Sequence, residues 1–376
     1  MPSAKISEKL CETPRETGNF AQKITNMELN RKIESFVLLG EFLTEFLESK
    51  NRQEDPRYSQ LEDAVELSGK KNGWFTRESV EYALSSWSEL LIKDKLEKWL
   101  SSYSIQDSPD PVKNVAVIMA GNIPLVGFHD FITVLMSGHH FVGRLSSDDT
   151  ELLPAIAKIL MSNDLEWEGR ISFTQEQLKE FDAVIATGSN NSSHYFNYYF
   201  SKVPNIIRKN RNGVAILTGK ENEQELSGLA DDVFLYYGLG CRNVSKLYFP
   251  EGYDVAPLFK AFERYRHFAA HHKWMNNHDY YRSIFLLNQI PSLDNGFVLM
   301  TENELIGSPP AVLYYEYYSD LDNLTSKLSL QQNEIQITVC TEEIHVYSCL
   351  PGMAQKPGLN EYADGIDSMA FCCRTL

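Results

Sequence analysis

A cysteine that follows two closely spaced glycines is the side chain of this sequence best suited to covalent chemistry. The segment Gly238-Leu239-Gly240-Cys241 comes directly after an amphipathic helical pattern. A thiolate is a strong nucleophile that can hold an acyl group as a thioester, and glycine lets a substrate approach the backbone closely. The alternative is a structural cysteine, because unpaired cysteine is among the most buried residue types. The segment by itself leaves both interpretations open.

Two polar loops could complete a site around this thiol. In Ala120-Gly121-Asn122-Ile123-Pro124 the Asn122 amide could donate to a developing oxyanion, whereas the alternative is a turn asparagine bonded to its own backbone. The segment Thr187-Gly188-Ser189 precedes a helical pattern whose N–H groups and dipole could bind a pyrophosphate. An ordinary helix cap is the alternative there. No GxGxxG motif is present, so no standard dinucleotide fingerprint supports either loop.

The composition is that of a large, acidic globular protein. With 376 residues, 43% of them hydrophobic, the chain can form two compact domains or one large α/β unit. A formal net charge of -16 argues against binding to nucleic acid or to an anionic membrane surface. No apolar run approaches the ~18 residues of a membrane helix, and the N-terminus lacks the apolar core of a signal peptide. We therefore expect a cytoplasmic protein with no integral membrane association.

Cysteine and histidine spacing gives no metal motif. The six cysteines show no paired ligand spacing, so we expect reduced thiols and no bound metal. His139-His140 and His271-His272 lack carboxylate or cysteine partners at ligand spacing. Both pairs are therefore interpreted as structural.

The elements that must position the loops alternate between strands and helices. Helical patterns at 27–49 and 76–100 predict a helical amino-terminal region, and a Ser-, Asp- and Pro-rich linker at 101–111 follows. The first region then has predicted strands at 112–120, 141–145, 170–173, 183–186, 206–208 and 214–217. A second α/β region has predicted strands at 246–249, 297–301, 312–318 and 335–340. Such alternation predicts right-handed βαβ units and a largely parallel sheet.

Three helix predictions bear on the site. Thr174 with Gln177 forms a capping-box pattern that predicts a helix after the third strand. A helix at 223–237 ends just before the cysteine segment. The aromatic residues that follow the possible pyrophosphate loop are expected to lie in a helix core, although an acyl tunnel would also need such residues; they are Tyr195, Tyr198, Tyr199 and Phe200.

The order of these motifs resembles the aldehyde dehydrogenase superfamily. A strand, Ala-Gly-Asn-Ile-Pro, a helix, Gly-His-His-Phe-Val-Gly-Arg-Leu-Ser, Ala-Thr-Gly-Ser and Gly-Leu-Gly-Cys succeed one another. Within the superfamily the sequence is most similar to the acyl-CoA reductases that include the LuxC component of bacterial bioluminescence, and the tail at 355–369 resembles their closing segment. The resemblance covers about 112–371.

The resemblance implies an aldehyde dehydrogenase-like α/β fold with two three-layer domains, mainly parallel sheets and a helical N-terminal lead-in. The implied domains are a helical region packing on the cofactor domain (1–105), a cofactor-binding domain (106–237), a catalytic domain with the nucleophile (238–345) and a C-terminal segment returning to a domain or subunit interface (346–376). A homo-oligomer is also implied.

The resemblance further implies the roles of individual residues. Cys241 is the implied nucleophile, and its backbone N–H forms the oxyanion hole together with Asn122. The adenosine end of the cofactor lies near 144–147, which makes Arg144 and Ser146 candidate contacts, although an arginine after a strand is commonly just solvated. The implied pyrophosphate contacts are Thr187, Gly188 and Ser189.

One departure from the superfamily indicates the reaction. Hydrolytic members carry a glutamate in a Glu-Leu-Gly-Gly turn, whereas the matching region at 206–213 has no carboxylate. A thioester on Cys241 is therefore expected to await hydride and not water. The implied function is NADPH-dependent reduction of a long-chain fatty acyl-CoA to the aldehyde, with coenzyme A as the leaving group. The choice of NADPH comes from the family and from the absence, directly after the Ser146-Ser147 hydroxyl pair, of an acidic residue that would clearly fit a ribose diol. Asp148 weakens this second argument.

A second departure concerns the nicotinamide ribose. A segment matching the Glu-x-Phe-Gly-Pro motif, which steadies that ribose, is not recognisable around 308–318, so no residue takes that role.

Other interpretations of the function remain open. An acylating enzyme for short or acidic acyl-CoA or acyl phosphate would show basic residues such as Arg208 or Arg211 in the acyl pocket. A non-catalytic scaffold would present acyl groups to an acyl-protein synthetase, which is also a possible partner of the reductase.

Overall fold

Two mainly parallel β-sheets, each flanked by helices, follow a helical amino-terminal region. The structure is a computed structural model that describes residues 28–107, 109–188, 190–342, 344 and 347–376. The first sheet has five strands and the second has seven. The predicted α/β class with mainly parallel sheets is confirmed.

Four helices cover most of residues 29–100. They are α1 (Leu29–Glu48), α2 (Ser59–Lys71), α3 (Arg77–Leu90) and α4 (Lys93–Leu100). Of these, α2 has no counterpart among the predicted elements. The single helix predicted over 76–100 is wrong, because the chain turns after α3, where Leu91 is buried against Gly40. The approach is so close that a Cβ on Gly40 would lie 2.6 Å from the Leu91 carbonyl oxygen.

The first sheet has the strand order of a nucleotide-binding fold. Its parallel strands are β1 (Asn114–Ile118), β2 (His140–Arg144), β3 (Ile171–Thr174), β4 (Ala183–Thr187) and β5 (Asn205–Arg208), in the order β3-β2-β1-β4-β5. Its helices are α5 (Phe128–Met136), α6 (Leu152–Asn163) and α7 (Asn190–Phe200). The chain changes direction across the sheet between β1 and β4. A crevice at the carboxyl ends of two such strands is where open α/β sheets bind ligands.

The second sheet begins only four residues after the first one ends. Its strands are β6 (Asn212–Ile216), β7 (Val244–Pro250), β8 (Leu293–Asp294), β9 (Leu299–Glu302), β10 (Val312–Tyr318), β11 (Ile335–Val339) and β12 (Ser348–Cys349), in the order β12-β11-β6-β7-β10-β9-β8. Only the short β8 pairs antiparallel, with β9, among these described strands. Its helices are α8 (Glu223–Phe234), α9 (Ala256–Phe262), α10 (His272–Leu287) and α11 (Leu321–Leu330).

The sheets divide the chain earlier than the domain expectation does. β6 pairs with β7 and β11, and α8 packs in the core of the second sheet. The family resemblance implied a cofactor-binding domain that ends at 237 and would contain both elements. The boundary between the two sheets lies between Arg208 and Asn212.

The C-terminal segment returns to the first core. It ends in α12 (Ser368–Thr375), where Met369 and Cys372 are buried in the core that also contains the amino-terminal helices. The Trp99 indole N–H donates to the Tyr362 hydroxyl at 2.7 Å, which fixes the segment to α4. The last third of the chain is therefore tied to both sheets.

Two local predictions are wrong. No helix follows Thr174; its hydroxyl accepts from the Glu176 N–H at 3.0 Å in a turn, and Glu180 has a left-handed φ of 56° that would end a helix. Three tyrosines of α7 are exposed instead of buried, by 66% at Tyr195, 76% at Tyr198 and 68% at Tyr199. Phe196 and Phe200, four residues apart, supply the packed face of α7 in their place.

No helix in the described part of the chain is long and apolar enough to cross a membrane.

Candidate active site

The backbone before Cys241 has an unusual local conformation. Tyr236 and Tyr237 both adopt left-handed φ angles, of 55° and 56°, and Gly238 continues the run at 68°. Non-glycine residues occupy this region only at a cost, so surrounding contacts must enforce it. The Tyr237 ring stacks at 4.4 Å on both Phe268 and His271. Aromatic packing therefore holds the sharp turn after α8 and fixes the direction of the loop that carries Cys241.

A buried asparagine is hydrogen-bonded to the loop that carries Cys241. Asn243 is 1% exposed, and its Oδ1 accepts from the Gly240 N–H at 2.9 Å. Its Nδ2 donates to the carbonyls of Leu235 at 2.8 Å and Asp232 at 3.0 Å. One amide thus ties the end of α8 to the residue before the nucleophile. The sequence motifs do not include Asn243, for which the available signal was an asparagine directly before a strand.

Asn122 lies against the same loop. Its Nδ2 donates to the Leu239 carbonyl at 2.7 Å, two residues before Cys241. Its neighbour Ile123 also packs there, since a Cβ on Gly240 would lie 3.7 Å from the Ile123 Cδ1 atom. The loop after β1 and the cysteine loop therefore come together although they belong to different sheets. One of the two Asn122 amide protons is already used by this bond.

Cys241 is a free, partly exposed thiol whose charge state depends on several neighbours. Burial is the largest influence and raises the pKa of the thiol. The positive charges of Arg242 and Arg208 lower that pKa, and the Asp364 carboxylate raises it. The two guanidinium groups, together with the Cys241 backbone N–H, therefore favour a thiolate here.

The arginines proposed for an acidic acyl pocket are paired. Arg208, at the end of β5, is buried and forms a two-point ion pair with Asp130, at 2.5 and 2.9 Å. Arg211 lies 3.5 Å from Asp364. Arg211 does line a cavity of about 520 Å³, but Glu361 and Asp364 line it as well. This cavity is therefore not the strongly basic one that an acidic acyl group would favour.

The C-terminal segment is hydrogen-bonded to α8 and to Arg242, which directly follows Cys241. The buried Asp232 carboxylate of α8 accepts the N–H groups of Gly352 at 2.6 Å and Ala354 at 2.9 Å. Arg242 Nε donates to the Ala354 carbonyl at 2.6 Å, and its Nη2 bonds Glu361 at 3.0 Å. Burial raises the pKa of Asp232 to about 7, although the two N–H groups favour its charged form.

The loops at the carboxyl ends of β1 and β2 meet at Gly121. A Cβ on Gly121 would lie 2.5 Å from the Ser146 hydroxyl oxygen and 2.9 Å from the Asp148 Cβ, so only glycine fits. The Asp148 N–H donates to the Ser146 hydroxyl at 3.3 Å. Asn72 places its Nδ2 3.5 Å from the Gly121 carbonyl and 3.4 Å from that of Asp148. The fold thus brings Ser146, a predicted cofactor residue, next to the loop that carries Asn122.

The other predicted cofactor residues are less constrained. Thr187 ends β4, and Gly188 follows it toward the start of α7. Ser189 lies outside the described residues. Arg144, at the end of β2, donates from Nε to the Glu176 carbonyl at 3.3 Å, so it is not purely solvated. Gly121 lets the loops after β1 and β2 pack closely, and Gly188 lies between β4 and the N-terminus of α7, an arrangement compatible with a dinucleotide at the carboxyl ends of these strands.

The histidine pairs have structural contacts. His139 Nε2 lies 3.2 Å from the Cys372 carbonyl, and His271 Nε2 lies 2.8 Å from the Gly73 carbonyl. In the part of the chain that the structure describes, no three His, Cys, Asp or Glu side chains form a group that could hold a metal ion.

The fold is that of the aldehyde dehydrogenases. Aldehyde dehydrogenase 21 from Physcomitrella patens, in complex with succinate, superposes with a TM-score of 0.57 at 14% identity over 85% of this chain and 75% of that one. A putative aldehyde dehydrogenase from Burkholderia cenocepacia gives 0.60 at 12% identity over 87% and 77%. An indole-3-acetaldehyde dehydrogenase complexed with NAD+ gives 0.58 at 11% identity over 82% and 72%.

Sequence comparison defines the family within this fold. The model of the LuxC acyl-CoA reductases matches residues 42–255, which is more than half of the chain. The chain therefore belongs to the LuxC acyl-CoA reductase family and is an aldehyde-forming oxidoreductase. The match begins at residue 42, so it includes most of the amino-terminal helical region. No curated protein matches this sequence.

Proposed function

We propose that this protein reduces a long-chain fatty acyl-CoA to the aldehyde with NADPH, through a thioester on Cys241. The observation that carries the proposal is the 2.7 Å bond from Asn122 to the Leu239 carbonyl. It brings an amide donor from the loop after β1 to the loop that carries the Cys241 thiol, beside the crevice where a nicotinamide cofactor would lie. Nucleophile, donor and cofactor loops are the three components that the reaction requires.

Acyl transfer is the first step. The Cys241 thiolate attacks the carbonyl carbon of the acyl-CoA, a new C–S bond forms, and the carbonyl electron pair moves onto oxygen. The second Asn122 amide proton and the Cys241 N–H would stabilise that oxyanion. Collapse of the oxyanion breaks the original C–S bond, coenzyme A leaves as its thiolate, and the acyl group remains on Cys241.

Reduction is the second step. When bound, the nicotinamide supplies a hydride, and with it two electrons, to the thioester carbon. Ser146, Thr187, Gly188 and Ser189 are the residues that would hold the cofactor, with Arg144 near its adenosine end. After the hydride has been added, the C–S bond to Cys241 breaks, the aldehyde leaves, and the thiolate is regenerated.

Residues 206–213, which span the end of β5 and the start of β6, lack a group that would activate water to attack the thioester. Hydrolysis needs a carboxylate that activates water, and residues 206–213 contain none. Arg208 takes the Asp130 carboxylate in a buried ion pair, so this carboxylate is not available as a base. Aldehyde release is therefore favoured over release of a free acid.

The test uses radiolabelled long-chain acyl-CoA with and without NADPH. Label should attach to the wild-type protein and leave as aldehyde only when NADPH is present, whereas Cys241→Ala should take up no label. Cys373→Ala is the matched control, because Cys373 is also a free, partly exposed thiol, in α12. Labelling that persists in Cys241→Ala would overturn the proposal.

The same assay separates the alternatives. A short or dicarboxylic acyl-CoA that labels faster than the long-chain one would favour the enzyme for short or acidic acyl groups. Label that attaches to Cys241 but is never discharged with NADPH, and passes instead to an acyl-protein synthetase, would favour the scaffold. Replacing NADPH by NADH in the discharge step tests the cofactor preference.

A further inference from the structure

An unpaired amide donor lies against the cysteine loop. Gln355 is 8% exposed, and its buried Nε2 has no hydrogen-bond partner among the described residues. A buried donor without a partner destabilises a folded protein, and such groups are rare in native structures. The Gln355 amide N–H is therefore available to a ligand.

The position of Gln355 relates it to the nucleophile. A Cβ on Gly240 would lie 3.8 Å from the Gln355 Oε1 atom and 3.7 Å from the Ile123 Cδ1 atom. The Gln355 amide thus approaches the residue before Cys241 together with the loop that carries Asn122. The other polar neighbour of Gly240 is Asn243, whose amide is saturated by the loop backbone. Gln355 is the amide in this group whose donor remains free.

The backbone beside Gln355 is rigidly held. Both polar backbone groups of Ala354 are bonded, its N–H to Asp232 at 2.9 Å and its carbonyl to Arg242 Nε at 2.6 Å. Asp232 lies in α8, and Arg242 directly follows the nucleophile. The position of Gln355 is therefore coupled to the element that positions Cys241, which is the condition for a preorganised donor.

Resting on the proposed function, we propose that Gln355 is a further catalytic residue whose Nε2 donates to the carbonyl oxygen of the acyl group that is transferred to Cys241. It complements Asn122, one of whose amide protons bonds Leu239. The C-terminal segment would then supply part of the oxyanion hole, which accounts for its fastening to α8 and to Arg242.

The experiment uses p-nitrophenyl butyrate and the full chain. The Cys241 thiolate attacks the ester carbonyl, the C–S bond forms, the C–O bond breaks, and p-nitrophenolate leaves, so neither coenzyme A nor a nicotinamide is needed. Gln355→Met keeps the length of the side chain and removes the donor. We expect its single-turnover acylation rate to fall roughly 10²-fold, as for removal of one oxyanion donor.

Two readouts separate catalysis from structure. Alkylation of Cys241 by iodoacetamide builds no oxyanion, so its rate should stay within about twofold of wild type in Gln355→Met. The Tm of Gln355→Met should equal or exceed that of wild type, because an unsatisfied donor is replaced by an apolar group of similar shape. Gln224→Met, at an exposed position of α8, is the matched control and should change none of the three.

Equal acylation rates in wild type and Gln355→Met would overturn the assignment. A parallel fall in acylation, alkylation and Tm would overturn it too, because it would show a structural role. Failure of the proposed function is distinguishable: acyl-CoA would then leave the wild type unlabelled while the ester assay still separated Gln355→Met from wild type.

Discussion

The loop that carries Cys241 and the loops proposed to hold the cofactor differ in how they are constrained. Side chains fix the first one: Asn243 bonds Gly240, Asn122 bonds Leu239, and Tyr237 is stacked between two rings. The cofactor loops have longer side-chain bonds, from Asn72 at 3.4 and 3.5 Å, and depend more on Gly121 fitting beside Ser146 and on Gly188 leading into a helix.

The difference follows from the chemistry that each region serves. A nucleophile must be placed to within a fraction of an ångström for its attack, so many bonds to one short segment are worthwhile. A pyrophosphate is bound well by successive N–H groups at a helix N-terminus, which need glycine and correct strand order more than particular side chains. Single substitutions should therefore act strongly on the first region and weakly on the second.

The largest effect is expected at Asn243. Asn243→Ala leaves the Gly240 N–H and the Leu235 and Asp232 carbonyls without this partner, and we expect a loss of about 3 kcal/mol in the free energy of unfolding. Urea unfolding measures this loss, and iodoacetamide alkylation should show altered Cys241 reactivity. Asn205→Ala is the control, since Asn205 bonds the Phe200 and Val203 carbonyls at the first sheet. Unchanged alkylation in Asn243→Ala would contradict the positioning role of Asn243.

The next effect concerns pH and Asp232. A carboxyl group whose pKa is raised from 3.8 to about 7 by burial binds a proton in the folded state that it loses in the unfolded state between these values. Its contribution is fully present below pH ~4 and is lost as the pH rises to about 7. From pH 5 to pH 8, wild type should lose about 2 kcal/mol more than Asp232→Asn.

Urea unfolding of both proteins at the two pH values checks this expectation. Identical pH slopes in wild type and Asp232→Asn would show that Asp232 ionises normally, as its bonds to Gly352 and Ala354 would favour.

A smaller effect is expected on the cofactor side, at Gly121. Gly121→Ala would place a Cβ 2.5 Å from the Ser146 hydroxyl, so the two loops must move apart. NADPH binding, measured by fluorescence titration, should weaken about tenfold, because backbone placement governs that site. Cys241 alkylation should not change. Gly121→Ala should weaken NADPH binding less in a Ser146→Gly background than in wild type, and an equal loss in both backgrounds would argue against the steric explanation.

The smallest effect is expected at Asp148, which is exposed beside Gly121. Its carboxylate would repel the extra phosphate of NADPH, but solvent screens an exposed charge. Asp148→Asn should therefore tighten NADPH binding only about threefold and leave NADH binding unchanged. An equal change for both cofactors would place the phosphate elsewhere.

The elements of the fold were largely predictable because their signals are local. The apolar runs that become β1, β4 and β7 are strands in the structure, as their patterns predict, and the loop after each strand follows directly. The helix prediction after Thr174 is wrong because a capping pattern allows a helix to begin but does not require one. The Thr174 hydroxyl accepts from the Glu176 N–H in a turn instead. The burial predicted for the α7 tyrosines is wrong because the residue type alone does not show which face of a helix packs against the core.

The site was predictable in part for the same reason. Cys241 and Asn122 stand out by residue type and by motif order, whereas Asn243 and Gln355 are ordinary amides in the sequence. Their importance arises only from contacts with Gly240, which lies three residues from Asn243 but more than a hundred from Gln355. Periodicity carries no information on such partners.

The sequence alone determined the class of fold, the order of the strands along the chain, the candidate nucleophile and the lack of a carboxylate at 206–213. The tertiary structure decided which loops meet, that β6 and α8 join the second sheet, and that the C-terminal segment is fastened to Asp232 and Arg242. The physical reason is the distance along the chain between the residues that interact. Strand and helix patterns arise from neighbours along the chain, whereas a site is made of hydrogen bonds and close contacts between segments that only packing brings together.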